Sequence, residues 1–223
     1  MTGIICAMEI EARKIIAEMS GATTDVIAGG KYVHGELYGK EAVVAVCGIG
    51  KVNSAVCAQT MIIKYSPDEV INVGVAGALT GDLRVLDVVV STDLVQHDFD
   101  VTSIGYEPGL IPGRKEVGFK ASDRIVKKLC KALDNTGVRY VTGRIASGDV
   151  FVDTDEARRS IAGKFGAAAC EMEGAAVAQV CAINGVEFAV LRAISDSGEG
   201  DYRVFAERAA DNSARVICEY MKD

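Results

Sequence analysis

The chain has 223 residues, of which 49% are hydrophobic and 25% charged, with a net charge of −7. That balance allows a sizeable core and excludes disorder, fibrous architecture and non-specific binding to nucleic acid or an anionic membrane, which needs clustered Lys and Arg. No apolar run reaches the roughly 18 residues of a membrane span, and the opening MTGIICAMEIE lacks the basic and apolar regions of a secretory signal, so a cytoplasmic protein is expected.

In chain order, Thr2 to Ala7 is a short apolar run. Glu9 to Met19 follows with helical periodicity through Ala12, Ile15, Ile16 and Met19, ending at Gly21. Tyr32 to Tyr38 and Ala42 to Cys47 alternate as strands about a tight hairpin at Gly39-Lys40. Asn53 or Ser54 caps a helix running to Tyr65, and Val70 to Val75 and Val85 to Ser91 read as buried strands. Helix Ser122 to Asn135, strand Tyr140 to Ala146, helix Asp155 to Ala162 and strand Ala167 to Cys170 come next. Helix Glu173 to Asn184, strand Glu187 to Ile194 and helix Val204 to Met221 close the chain. The alternation predicts one α/β domain over residues 1–223, with helices on both faces of a mixed sheet. Only Thr102 to Gly118, with two prolines and four glycines, has no periodicity, as a functional or interface segment would.

Several familiar motifs nearly match. Gly48-Ile49-Gly50-Lys51 has Ala45 where a P-loop needs its first glycine and Val52 where it needs a hydroxyl. Gly74-Val75-Ala76-Gly77 follows a strand, yet Ala76 and Leu79 replace the later glycines of a dinucleotide fingerprint. Gln96-His97-Asp98-Phe99-Asp100 reads as a polar strand end, the other histidine, His34, being remote in sequence. Seven scattered cysteines without a CxxC read as reduced, mostly buried thiols. Neither metal nor cofactor is expected.

What remains is a set of acids at strand ends, where α/β sheets bind ligands. Glu9 and Glu11 follow the first strand, though acids at a helix N-terminus also answer the macrodipole. Glu171 and Glu173 lie between an alanine run and an apolar helix, where an idle carboxylate is costly. Asp196 ends Arg192-Ala193-Ile194-Ser195-Asp196, equally placed to cap a local turn.

Taken in order and spacing, Gly3 to Glu11, Gly48 to Lys51, Gly74 to Gly77, Asp100-Val101-Thr102, Ser147 to Phe151, Glu171-Met172-Glu173 and Arg192 to Asp196 carry a resemblance. Over essentially its whole length the chain resembles the 5′-methylthioadenosine/S-adenosylhomocysteine nucleosidases of the purine nucleoside phosphorylase superfamily. The resemblance implies a three-layer α/β/α sandwich around a mixed sheet, a homodimer, and hydrolysis of a nucleoside to adenine and a 5′-thioribose in methionine salvage. It implies that Asp196, oriented by Ser195, protonates the leaving adenine, and that Glu11, helped by Arg192, activates water. Glu173 would bind the ribose hydroxyls over Met172, with Glu171 beside it. Phe151 would stack on adenine, Val152 would read its edge, and Ala76 and Gly77 would border the site. Met8, Ile49 and Tyr202 would meet the 5′-substituent, joined by Val101, Ile104, Tyr106 and Pro112 from a second subunit. Val75 stands where such proteins commonly have serine, Ile104 and Tyr202 where they commonly have phenylalanine, and the segment from Ser197 to Arg203 is short. The alternatives are a phosphorylase, disfavoured by glutamates where phosphate would bind, and a silent nucleoside-binding protein, which would need no water-activating base.

Overall fold

The computed structural model describes residues 1–196 and 202–223. Strand β1 (Thr2–Cys6) leads into helix α1 (Glu9–Ala17), whose first turn carries Glu9 and Glu11. The helix stops at Ala17, short of Met19. Residue 18 caps it and the chain turns back as β2 (Met19–Ile27), a strand the sequence does not announce, because its residues are mostly exposed and do not alternate polar with apolar. Its pairing is supplied by β3 (Gly30–Leu37), which continues into β4 (Lys40–Val46). Both connections are two-residue turns with positive φ at each position, 50° and 78° at Ala28-Gly29 and 53° and 76° at Tyr38-Gly39. This is the hand that suits twisted antiparallel strands, and it centres the second hairpin one residue before Gly39-Lys40. The β2–β3 register slips between Ser20 and Thr23, where Gly21 has φ 59°. Gly35 lies against that bulge, and a Cβ there would sit 2.7 Å from the Ser20 carbonyl.

Helix α2 (Lys51–Tyr65) is capped by Gly50, with φ 100°, rather than by Asn53 or Ser54. Then come β5 (Glu69–Ala78), β6 (Val88–Gln96), the two-residue β7 (Phe119–Lys120) and α3 (Asp123–Thr136). The chain continues with β8 (Tyr140–Ser147), α4 (Asp155–Phe165), β9 (Ala169–Glu171), α5 (Gly174–Asn184), β10 (Glu187–Asp196) and α6 (Tyr202–Lys222). Between β6 and β7 there is one 3₁₀ turn, Thr102–Ile104, so the stretch that lacks periodicity is largely irregular in structure too.

Nine strands are hydrogen-bonded in the order β10-β6-β8-β9-β5-β1-β4-β3-β2, with β7 on β6. Because β10 also pairs with β5, the strands β5, β10, β6, β8 and β9 close into a ring and the sheet is open only beyond β1. Helices α1, α3 and α6 pack together on one face and α2 and α5 on the other, giving three layers. The core runs through Ile4, Ile5, Val43, Val44, Ile71, Val89, Val190 and Leu191, all fully buried. Each such side chain contributes roughly 1.5–3 kcal/mol, which offsets the cost of the ions buried at one end of the sheet.

Candidate active site

Strands β1, β5 and β10 run parallel, so their carboxyl ends share one rim. Strand β9 crosses β5 antiparallel at Gly77 and Ala78 and brings Glu171 to the same place. There the rim encloses a cavity of ≈ 180 Å³. Its polar wall is Glu11, Glu171, Glu173, Arg192, Ser195 and Asp196, and its apolar wall includes Met8, Ile49, Val75, Phe151, Val152, Met172 and Tyr202. Gly77 also borders the cavity. Ala76 does not, but its carbonyl accepts the Ser195 hydroxyl at 3.3 Å.

Glu11 is 1% exposed. Its Oε2 accepts from the backbone of Ala7 and Met8, both at 2.9 Å, and its Oε1 from Val75 at 3.1 Å. Glu11 thus closes the N-terminus of α1, and the same side chain still lines the cavity. Burial raises its pKa, against the pull of Arg192 and of the three backbone N–H groups. Gly74 makes the arrangement possible: a Cβ there would lie 2.5 Å from Glu11 Oε1 and collide with Arg192 Nη1.

Arg192 is fully buried in β10. Its Nη2 donates to Glu171, to Asn72 Oδ1 at 2.5 Å and to Glu173 Oε2 at 3.3 Å. Glu171 is also claimed by the Ser147 hydroxyl and by the backbone of Glu173 and Gly174 at 3.0 and 2.7 Å, so it caps α5 and holds Arg192. Glu173, the N-cap of α5, accepts the Gly50 N–H on Oε1 at 2.9 Å. The positive φ of Gly50 thus turns the start of α2 toward a carboxylate of the protein itself. Lys51 reaches Asp98 Oδ1 at 2.6 Å and Gln96 Oε1 at 3.1 Å, while its N–H and that of Asp149 bind Asp149 and Asp98 at 2.8 Å. The polar cluster after β6 therefore ties the loops before α2 and after β8 together.

Burial pushes the Glu173 carboxyl up to about 7, Glu171 adding to the shift and Arg192 opposing it. An unfolded glutamate ionises near about pH 4.3. Between that pH and about 7 the folded chain keeps a proton that the unfolded chain releases, so stability falls as pH rises. Glu173→Gln is expected to flatten this slope. Melting temperatures at about pH 5 and about pH 7.5 test it, and an unchanged drop in the variant would contradict it.

Asp196 ends β10 with Oδ1 on the buried guanidinium of Arg158 and Oδ2 3.2 Å from the Ser195 hydroxyl. Tyr202 meets Phe151 edge-on, with centroids 5.6 Å apart, and its hydroxyl lies 3.6 Å from Met8 Sδ. Val101, Ile104, Tyr106 and Pro112 do not line this chain's cavity. Ile104 is 70% exposed and Tyr106 39%. Of the short segment after Asp196, residues 197–201 lie outside the described residues. Sequence reasoning missed Asn72, a lone amide in an apolar strand and so a usable signal, and Arg158, which one arginine among the polar residues of a helix does not signal.

Carboxylates and a buried arginine around an apolar-walled cavity, at the carboxyl rim of a partly closed mixed sheet, mark the phosphorylase superfamily, and the profile of that superfamily matches residues 2–222. A 5′-methylthioadenosine/S-adenosylhomocysteine nucleosidase of Shewanella loihica is 39% identical, over 99% of this chain and 98% of that protein. Among solved structures, the corresponding nucleosidase of Neisseria meningitidis, in complex with methylthio-immucillin-A, superposes with a TM-score of 0.95 at 36% identity, covering 99% of this chain and 98% of that one. That of Colwellia psychrerythraea, in complex with adenine, gives 0.94 at 34% identity, covering 99% and 93%. The chain belongs to the phosphorylase superfamily and, within it, to the 5′-methylthioadenosine/S-adenosylhomocysteine nucleosidases.

Proposed function

We propose that the chain hydrolyses the N-glycosidic bond of 5′-methylthioadenosine and S-adenosylhomocysteine, releasing adenine and the 5′-thioribose. One observation carries hydrolysis over phosphorolysis: the backbone N–H groups of Ala7 and Met8, at the strand end where a phosphate would be cradled, are already bound to Glu11. A phosphate there would displace a buried carboxylate and face its charge. The rate with 5′-methylthioadenosine is therefore expected to be indifferent to added inorganic phosphate, with free adenine and free 5′-methylthioribose as products. A sugar 1-phosphate as the main product would reassign the chain as a phosphorylase.

In this reading the leaving base needs a proton and the oxocarbenium-like sugar needs water. Asp196, steadied by Ser195, gives the proton. Glu11 takes one from water beside Arg192. Glu173 holds the ribose hydroxyls and offers negative charge to the developing cation. Met172 packs under the sugar, Phe151 stacks on adenine, and Val152 reads its edge. Glu171 acts through Arg192 and α5 rather than on the substrate. Met8, Ile49 and Tyr202 receive the 5′-thio group, which suits their apolar surfaces.

The chain works as a single domain, in the cytoplasm and as a homodimer, with Val101, Ile104, Tyr106 and Pro112 completing the site of the partner subunit. The exposure of Ile104 and Tyr106 supports this, as does that of Ile49, Val52, Val150 and Phe151, since contiguous apolar surface marks interfaces. No helix among the described residues is long and apolar enough to cross a membrane. Tyr106→Ala is expected to raise KM for 5′-methylthioadenosine while leaving adenine affinity intact. A fully active monomer in the ultracentrifuge would overturn the shared site.

A further inference from the structure

From Val70 to Ala78, strand β5 is made of apolar residues and glycines, interrupted by one amide. Asn72 is fully buried, paired in the sheet with Ile5 on β1 and Val190 on β10. Its Nδ2 donates to the Ile5 carbonyl at 2.9 Å, and its Oδ1 accepts from Arg192 Nη2 at 2.5 Å. It does not line the cavity. A buried amide is costly unless both its ends are paired, and an apolar residue of similar size would fill the same space without that cost. Joining the strands is therefore no sufficient reason for an amide here, whereas the bond to Arg192 is.

The guanidinium of Arg192 is held unevenly. Its Nε is buried without a partner, and Nη1 has only the Val75 carbonyl, at 3.4 Å. The close bonds fall on Nη2, which meets Glu171, Asn72 and, at 3.3 Å, Glu173. An NH₂ group has two protons to give, so Glu171 and Asn72 take them and Glu173 is left the longer contact. With Nη2 held there, Nη1 comes beside Glu11. Both crowd the same side of Gly74, where a Cβ would lie 2.5 Å from Glu11 Oε1 and collide with Arg192 Nη1. A donor next to an acceptor is what a nucleophilic water needs, one to hold its oxygen and one to take its proton.

We propose that Asn72 is a positioning residue for hydrolysis, pinning Nη2 of Arg192 so that Nη1 stays beside Glu11 and orients the attacking water. The inference rests on Glu11 being the group that activates this water. Asn72 suits the task because it is a neutral acceptor. Glu11, Glu171 and Glu173 already surround this one guanidinium, and a fourth carboxylate would add unpaired charge to a buried cluster. Glu171 alone does not fix the plane of the guanidinium, since its carboxylate is shared with the Ser147 hydroxyl and the N–H groups of Glu173 and Gly174. Glu173 does not fix it either, because its carboxylate turns to the ribose hydroxyls when substrate is bound. Without Asn72, the second Nη2 proton goes to Glu173, the guanidinium follows it, and Nη1 leaves Glu11.

The test is Asn72→Leu, which roughly keeps the volume and removes the acceptor. Single-turnover cleavage of 5′-methylthioadenosine should slow by about tenfold or more, the scale on which a misplaced reacting group loses rate. KM should change by less than about threefold, because the lost interaction belongs to the transition state. In an Arg192→Met background the same substitution should cost nothing further, since residues that act as one unit are not additive. A normal rate in Asn72→Leu overturns the proposal. So does a loss that persists undiminished in the Arg192→Met background, which would mean that Asn72 serves the sheet and not the arginine. If Asn72→Leu does not fold, Asn72→Ala is read in the same cycle with the same expected and overturning results. Glu11→Gln separates the two ideas: near-normal turnover there removes the base assignment, whereas an inactive Glu11→Gln beside a normal Asn72→Leu removes only the present inference.

Discussion

Asp196→Asn is expected to slow single-turnover cleavage of 5′-methylthioadenosine by at least about a hundredfold, within the range that general acid catalysis supplies. The amide keeps the size of the carboxyl and can still donate to a purine nitrogen, but it has no proton to give up. It also keeps an oxygen for the Arg158 guanidinium, so the end of β10 stays in place. Affinity for adenine should change far less than rate, because proton transfer contributes to the transition state and not to the ground-state complex. Near-normal turnover would show that leaving-group activation comes from elsewhere.

Glu11→Gln is expected to lose a comparable factor for a different reason. Glutamine can accept from either the Ala7 and Met8 pair or Val75, but not from all three without turning its NH₂ toward another donor. A moderate fall in melting temperature should therefore accompany the loss of water activation. Glu173→Gln provides the contrast. A group that holds the ribose before and during bond cleavage should lose affinity and rate together. The comparison is made with single-turnover rates and calorimetric affinities on the three variants. If Glu11→Gln bound a nucleoside weakly but cleaved it at the normal rate, Glu11 would be a binding group and the base would lie elsewhere.

The parts of the site that sit at strand ends were legible in the sequence. Glu11, Glu171, Glu173 and Asp196 each follow or end an apolar run, and a charge in that setting needs a reason, whereas Arg192, inside β10, came only with the family resemblance. Strand β2 was not legible, because an outermost strand with mostly exposed residues lacks the alternation that betrays a half-buried one. The cap of α2 lies three or four residues before the expected Asn53 or Ser54, since it is Gly50 and carries no side chain to signal it. Arg158 gave no sign either. It lies among Asp155, Glu156 and Arg159 in the first turns of α4, and its value comes only from what the fold sets opposite it. A pattern can place a residue on an element, but it cannot name the residue's neighbour across the sheet.

The way the sheet ends has a consequence for solubility. One side of it is sealed by the β10–β5 pairing, which leaves β2 as the long free edge among the described strands. A free edge is a template on which another chain can nucleate β-aggregates, and natural proteins blunt it with bulges, turns and charge. Here the slip between Ser20 and Thr23 breaks the row of donors and acceptors, Asp25 sits on the strand, and Tyr65 anchors Asp25 at 2.6 Å. Growth of the sheet from molecule to molecule is thereby discouraged, and a second copy must dock through side-chain surfaces, the kind that the apolar mouth of the cavity offers.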